Sequence, residues 1–320
     1  MYGSNKELAM QYTRLLKLMK PLLNGEDVKQ VQRKLQQLDA RIVGSVDGVF
    51  GRRTKTAVMW FQEQSGLPSD GIVGPATWQA LFAEQEQQQT SKLTELMPDL
   101  IVDHNYKNSI TWRLDETGIV IENNIPERTR GQPVTVSRIW EQFGDDISRW
   151  SVHFGVPAES LIATIATESG GKADAVREEP GYVSDDITPN KVSPGLMQTL
   201  ISTASSALHN NDIDRQWLLV PAHSIQAGTA YIASQWEMTQ YDPPKIACAY
   251  NAGAIYHNNN ETNRWKMRQY PMGTGEHTDR FVKWFNDCMF VFDREHVAPP
   301  CSYALELSTM RAKILQDMET

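Results

Sequence analysis

Glu168 is the side chain in this 320-residue sequence best placed by its neighbours to do chemistry. It ends the run Leu161-Ile162-Ala163-Thr164-Ile165-Ala166-Thr167-Glu168, which Ser169-Gly170-Gly171 follows. Leu161, Ile165 and Glu168 fall at i, i+4 and i+7, so they share one stripe of a helix. A carboxylate on an apolar stripe has its charged form disfavoured, and its pKa rises toward what a general acid needs near neutral pH. Gly170 and Gly171 supply the helix stop, so Glu168 is expected in the last turn, beside a cleft. An exposed helix-end glutamate with a frayed last turn is the plainer reading of the same residues.

Further segments follow in order. Ser193-Pro194-Gly195-Leu196-Met197-Gln198 predicts a turn into a helix. Ile225, Gly228, Ile232 and Trp236 mark a helical stripe that Pro243-Pro244 is expected to terminate. Ala249-Tyr250-Asn251-Ala252-Gly253 then ends a short apolar helix. In this order, E-S, G-L-M-Q, an A-x-x-Y helix and A-Y-N-A-G resemble the soluble lytic transglycosylases and the related goose-type lysozymes, over roughly residues 137 to 290.

Carried over position by position, the resemblance implies that Glu168 is the catalytic acid and that Gly195, Met197 and Gln198 form a wall of a saccharide cleft. It implies that Tyr250 places its hydroxyl near Glu168, and that Asn251 contacts sugar or holds the loop. Each has a plainer reading: a core tyrosine with a satisfied hydroxyl, a gap-filling methionine, a helix-start glutamine. The implied substrate is peptidoglycan. One carboxylate could suffice there, because the neighbouring acetamido group can stabilise the anomeric carbon while Glu168 serves as acid and then as base. The expected products are 1,6-anhydro-MurNAc ends.

The segment from Lys172 to Val192 departs from this account. It holds Asp174, Glu178, Glu179, Asp185 and Asp186 and reads as a long cleft-edge loop of solvated acids. Glu178 or Glu179, if it faced Glu168 across a gap that admits water, would make the enzyme a hydrolytic muramidase. His153, His209, His223, His257, His277 and His296 are dispersed without metal-ligand spacing, and G-x-S-x-G is absent. Neither a metal nor a cofactor is expected.

The elements that must position these groups begin with a near repeat. Asp47-Gly48-Val49-Phe50-Gly51-Arg52-Arg53-Thr54 returns as Asp70-Gly71-Ile72-Val73-Gly74-Pro75-Ala76-Thr77, each copy a tight turn feeding a helix. Val28, Val31, Leu35 and Leu38 predict a helix ahead of the first copy. The pattern resembles the three-helix peptidoglycan-binding domain appended to many cell-wall enzymes, which implies docking and not catalysis. Trp60, Phe61 and Trp78 sit at helix-periodic positions and read as core. Residues 84–108 read as a polar helix tail or linker, residues 109–122 as a hairpin with Gly118 in the left-handed position, and Ile139, Phe143, Ile147 and Trp150 as the apolar stripe of a helix packed on that of Glu168. Glu295 to Thr320 reads as a terminal helix.

Length and composition allow two domains with sizeable cores, and a formal charge of −8 argues against a basic nucleic-acid or anionic-membrane surface. Three cysteines without a C-x-x-C pair indicate neither a disulfide framework nor a zinc site. Residues 1–24 read as a lead-in helix, without the apolar core of a signal peptide. The expected fold is mainly α: the lead-in, a peptidoglycan-binding domain at 25–83, a linker at 84–108, and a lysozyme-like helical domain with a minor β-hairpin at 109–320. The whole resembles modular phage endolysins, made in the host cytoplasm and released to the wall through a holin pore. Its expected partner is the glycan strand, with no nucleic acid, no stable membrane association and a monomeric chain. A bacterial autolysin, or a non-catalytic wall-binding or virion protein that keeps the fold, are the alternatives.

Overall fold

The computed structural model describes residues 14–38, 43–65, 67–131, 133–295 and 298–319. The chain divides into two compact units, residues 1–88 and 89–320, and it is mainly α.

In the first unit, helices α1 (Glu26–Leu38), α2 (Arg52–Gln64) and the first turns of α3 (Pro75–Leu100) enclose a core that includes Val31, Leu35, Phe50, Val58, Phe61, Trp78 and Leu81. Phe61 and Trp78 are buried, and Trp60 packs partly buried against the same cluster. The repeat is closed by two glutamines outside its sequence window. Gln32 Nε2 donates to Asp47 Oδ1 (2.9 Å), to the Val49 carbonyl and to Thr54 Oγ1, while its Oε1 accepts the Gly48 N–H. Gln62 repeats each of these bonds with Asp70, Ile72, Thr77 and Gly71. Both D-G turns need their glycine, since φ is +75° at Gly48 and +70° at Gly71.

The expected lead-in helix is corrected where it is described: residues 14–24 carry no helix, and residues 1–13 lie outside the described residues. Leu16 pairs with Val73 and Asn24 with Val49 as isolated antiparallel bridges. Fully buried, Leu16 makes the segment an extended strap over the repeat turns, because its apolar residues come in pairs too short for a helical stripe.

The second unit is built around α5 (Ala158–Glu168). Every residue from Ala158 to Ala166 is buried, so the predicted single apolar stripe is in fact a helix covered on all sides. It packs against α4 (Val134–Phe154), α8 (Pro221–Ser234), α10 (Pro243–Ala252) and α11 (Glu276–Glu295). Ala158, Ser160, Ala163, Thr164 and Ala166 allow close approach, and the Thr164 and Thr167 hydroxyls return to the Ser160 and Ala163 carbonyls. Ile139 and Ile147 of α4 are buried in the same core, with Phe143 and Trp150 partly buried against it. Leu93, Met97 and Leu100 of α3 also lie there, so the predicted linker is helix as far as Leu100 and carries core residues.

Strands β1 (His104–Asn105), β2 (Thr111–Asp115) and β3 (Gly118–Ile121) form an antiparallel sheet with Trp112 opposite Ile121 and Asp115 opposite Gly118. Asn286 of α11 accepts the Ile119 N–H at 2.7 Å, and a Cβ at Gly118 would lie 2.2 Å from its oxygen. The hairpin therefore braces α11. Strands β4 (Val176–Glu178) and β5 (Val192–Pro194) pair antiparallel and give the Lys172–Val192 segment a regular base.

Short helices α6 (Ile201–Leu208), α7 (Arg215–Leu218) and α9 (Trp236–Thr239) and the terminal α12 (Tyr303–Glu319) complete the unit. Pro243 and Pro244 begin α10 and do not end α8, which stops at Ser234. A proline fits the first helical turn, where its missing N–H would have no partner. The three cysteines are buried and free. No helix among the described residues is long and apolar enough to cross a membrane.

Candidate active site

Glu168 occupies the last position of α5 and keeps 15% of its side-chain surface exposed. Burial pushes its pKa up to about 7, against the pull of the Arg177 and Arg280 guanidiniums toward the charged form. No described group donates a hydrogen bond to its carboxyl. A carboxyl so placed is protonated below neutrality and open on one side, as a general acid must be.

The residues after Glu168 fix where it sits. Gly170 and Gly171 adopt φ of +64° and +82° and turn the chain back. Ser169 Oγ donates to the Leu196 carbonyl at 2.7 Å, and Arg138 reaches the Gly170 carbonyl at 2.7 Å. The E-S-G-G end of α5 is thus tied directly to the G-L-M-Q turn.

The residues of that turn, expected to wall a saccharide cleft, have structural partners of their own. Gly195 is buried at φ +84°, with the Leu218 carbonyl 2.1 Å from where a Cβ would stand. Met197 is fully buried with its sulfur against Gly228, so its side chain belongs to the core. Its backbone matters more: the carbonyl accepts from the Tyr250 hydroxyl at 2.8 Å and the N–H donates to Ser224 Oγ. Gln198, half-buried at φ +51°, spends its amide on the Ala175 and Gly195 carbonyls, which locks the turn. The helix expected here starts at Ile201.

Tyr250 lies on α10, its hydroxyl between the Met197 carbonyl and Thr199 Oγ1, both at 2.8 Å. Burial holds its pKa well above the ordinary phenol value, and the Glu168 charge adds to the rise. It is a neutral phenol in the electrostatic range of Glu168. Asn251 accepts the Tyr270 N–H at 2.5 Å and places its amide nitrogen 3.4 Å from His277 Nδ1. Of its two expected roles, the geometry favours holding the loop.

Glu178 and Glu179 have other partners. Glu178 is exposed and pairs with Arg215 at 2.9 Å; Glu179 pairs with Arg177 at 2.8 Å. Along β4 successive side chains alternate faces, so Arg177 and Glu178 point opposite ways. Arg177 is among the charges that shift Glu168, and neither glutamate is. Arg215 also grips Asp185 (2.8 Å) and the Tyr182 hydroxyl (2.9 Å), which ties α7 to this segment.

Sequence reasoning passed over three groups. His277, in the first turn of α11 and 4% exposed, places Nε2 3.6 Å from Glu168 Oε1. Burial drives its pKa down to about 4, so it is neutral at pH 7. Arg177 and Arg280 are the charges among the described residues that lower the Glu168 pKa. No spacing rule links these positions: His277 and Arg280 come from α11, which packs on α5, and Arg177 comes from β4.

Residues 24–81 match the putative peptidoglycan binding domain, and residues 145–271 match the transglycosylase SLT domain. The chain is similar to the N-acetylmuramoyl-L-alanine amidase CwlM of Mycobacterium tuberculosis, with 45% identity over 60 residues, 19% of this chain and 14% of that protein. It is similar to the spore cortex-lytic enzyme of Bacillus cereus, with 47% identity over 58 residues, 18% of this chain and 22% of that one. The chain therefore spans less than a quarter of the length of either relative. Among solved structures, a Burkholderia AP3 phage endolysin aligns with TM-score 0.30 and 16% identity over 88% of this chain and 100% of that chain. A Pseudomonas aeruginosa lytic transglycosylase Slt aligns with TM-score 0.34 and 14% identity over 87% and 39%. The chain carries a peptidoglycan-binding domain followed by an SLT transglycosylase domain.

Proposed function

We propose that this chain is a modular endolysin that cleaves the MurNAc-β-1,4-GlcNAc bond of peptidoglycan by non-hydrolytic transglycosylation, with Glu168 as acid and then base. The observation that carries this reading is a carboxyl raised to about 7 and partly open, whose charged influences among the described residues are Arg177 and Arg280. A two-carboxylate hydrolase needs a partner acid for its nucleophile or water. The two acids best placed by sequence, Glu178 and Glu179, are paired with Arg215 and Arg177.

Protonated Glu168 gives its proton to the glycosidic oxygen as the C1–O4 bond breaks, and GlcNAc leaves as the alcohol. The MurNAc acetamido oxygen stabilises the cation at C1. Glu168, now a carboxylate, takes the proton of the C6 hydroxyl while O6 bonds to C1. The 1,6-anhydro ring closes, the carboxyl is restored, and no water is consumed. Tyr250, neutral and held by Met197 and Thr199, adds no negative charge beside this exchange. The first unit supplies docking onto murein.

Mass spectra of muropeptides released from purified sacculi test this. Ends lighter by one water than reducing ends are expected. Reducing ends would replace the proposed chemistry with hydrolysis, and no release by the intact protein would leave only wall binding.

A further inference from the structure

His277 stands between two groups that together determine where its proton is. The Asn251 oxygen accepts the backbone N–H of Tyr270, at 2.5 Å. A backbone N–H can only donate, so this fixes the orientation of the Asn251 amide and turns its nitrogen toward His277. That nitrogen, 3.4 Å from Nδ1, also donates. Nδ1 is therefore the bare nitrogen of the neutral ring, and Nε2 carries the hydrogen, facing Glu168 Oε1 at 3.6 Å.

We propose that His277, held in the Nε2–H tautomer by Asn251, is a positioning residue that favours the ionised form of Glu168 as the substrate takes its proton. The inference rests on the reading of Glu168 as the acid. At 3.6 Å the contact is longer than a hydrogen bond, as suits a neutral carboxyl. Once the proton has left, the carboxylate draws the N–H in, and the interaction is stronger in the transition state than in the ground state. An N–H aimed at Oε1 also leaves Oε2 as the oxygen that bears the proton.

The charges around the pair agree with this role. Arg177 from β4 and Arg280 from α11 act on both Glu168 and His277, and Tyr250 from α10 faces Glu168. Burial first, then the two arginines, oppose protonation of the ring, so His277 stays a neutral donor and not a competing acid.

Two measurements test the proposal. Long-range proton–nitrogen correlation spectra of the uniformly labelled full-length chain read the tautomer without reference to activity. Nε2–H with a bare Nδ1 is expected between about pH 5 and pH 8. An Nδ1–H ring or an imidazolium there overturns the proposal, whatever becomes of the Glu168 reading. The second compares His277→Leu and His277→Gln on soluble murein glycan strands, with a thermal melt to confirm folding. Gln is chosen because its amide N–H can stand where Nε2–H stood.

In the Leu variant kcat is expected to fall about 10- to 100-fold with KM little changed, as for loss of a hydrogen bond to a charged group. The alkaline limb of its pH profile should move upward, because Glu168 has lost a donor that favours the carboxylate. Gln should restore most of kcat and the limb. Equal loss in both variants with an unmoved limb would assign His277 to packing alone. If neither variant folds, the tautomer of the intact protein decides.

Discussion

The two ends of α5 carry the same residue in opposite circumstances. Glu159, in the first turn, is completely buried, and its carboxyl accepts the N–H groups of Tyr303 (3.2 Å) and Ala304 (3.0 Å) at the start of α12. Glu168, in the last turn, keeps an open side and accepts no hydrogen bond from a described group. Burial raises both to about 7. A raised pKa alone thus fails to separate a helix cap from a candidate acid; what separates them is whether the carboxyl's lone pairs are already occupied. Glu159 completes a helix N-terminus, and Glu168 keeps its acceptor capacity on its open side.

Breaking the comparison at the functional end should have the largest effect. Glu168→Gln is expected to reduce release of soluble muropeptides from sacculi by roughly 100- to 10,000-fold, the usual worth of general acid–base catalysis. The variant should still bind sacculi, and undiminished release would remove Glu168 from the chemistry. In the wild type the rate should fall as pH rises through about 7, where Glu168 ionises. Arg177→Gln removes a cation that favours the charged form, so its alkaline limb should lie at higher pH.

At the structural end the readout is stability. A carboxyl whose folded pKa is raised from 4.5 to about 7 stabilises the fold fully below 4.5, and this contribution is lost as pH rises through 7. Denaturant unfolding should show a decline on the order of 2–3 kcal/mol from Glu159 across that window, and Glu159→Gln should flatten it while sparing activity. An unchanged slope would show that Glu159 stays ionised on its two N–H donors. The first unit should trend the other way, because hydrogen bonds lower the Asp47 and Asp70 carboxyls, whose contribution disappears as pH falls.

Gln62→Ala leaves the Gly71 N–H without its acceptor and takes from Asp70 one of its donors, the Ile72 N–H remaining, and should weaken the first unit by about 1–3 kcal/mol. Hydrogen-exchange protection at Gly71 and Ile72 reports that loss, and muropeptide release from soluble strands should not change. The smallest effect is expected at the exposed Glu178–Arg215 pair, where Glu178→Gln should cost less than about 1 kcal/mol and leave product type and rate alone. A tenfold loss of rate would restore Glu178 as a water-activating carboxylate.

Legibility followed the range of the interaction that carries each feature. The D-G-x-x-G-x-x-T copies were readable because a turn and the helix it feeds lie within one short window. Gln32 and Gln62, which close those copies, were not, because they stand at different distances ahead of their aspartates. The order of E-S, G-L-M-Q and A-Y-N-A-G located the candidate site, yet it suggested that Gly195, Met197 and Gln198 face sugar. In the structure the Met197 carbonyl accepts from Tyr250 and the Gln198 amide donates to the Ala175 carbonyl, while Ser169 is held by the neighbouring Leu196. Pro243-Pro244 was ambiguous in itself, since a proline pair can follow one helix or open the next. His277 was out of reach, because only tertiary packing gives it a neighbour.

The three buried thiols have a consequence for assembly. Burial raises Cys248 and Cys301 to about 12 and Cys288 well above the ordinary thiol value. The thiolate that would attack a disulfide or capture a metal is therefore scarce at neutral pH. Once folded, the protein has a covalent framework that is the same in reducing and oxidising surroundings.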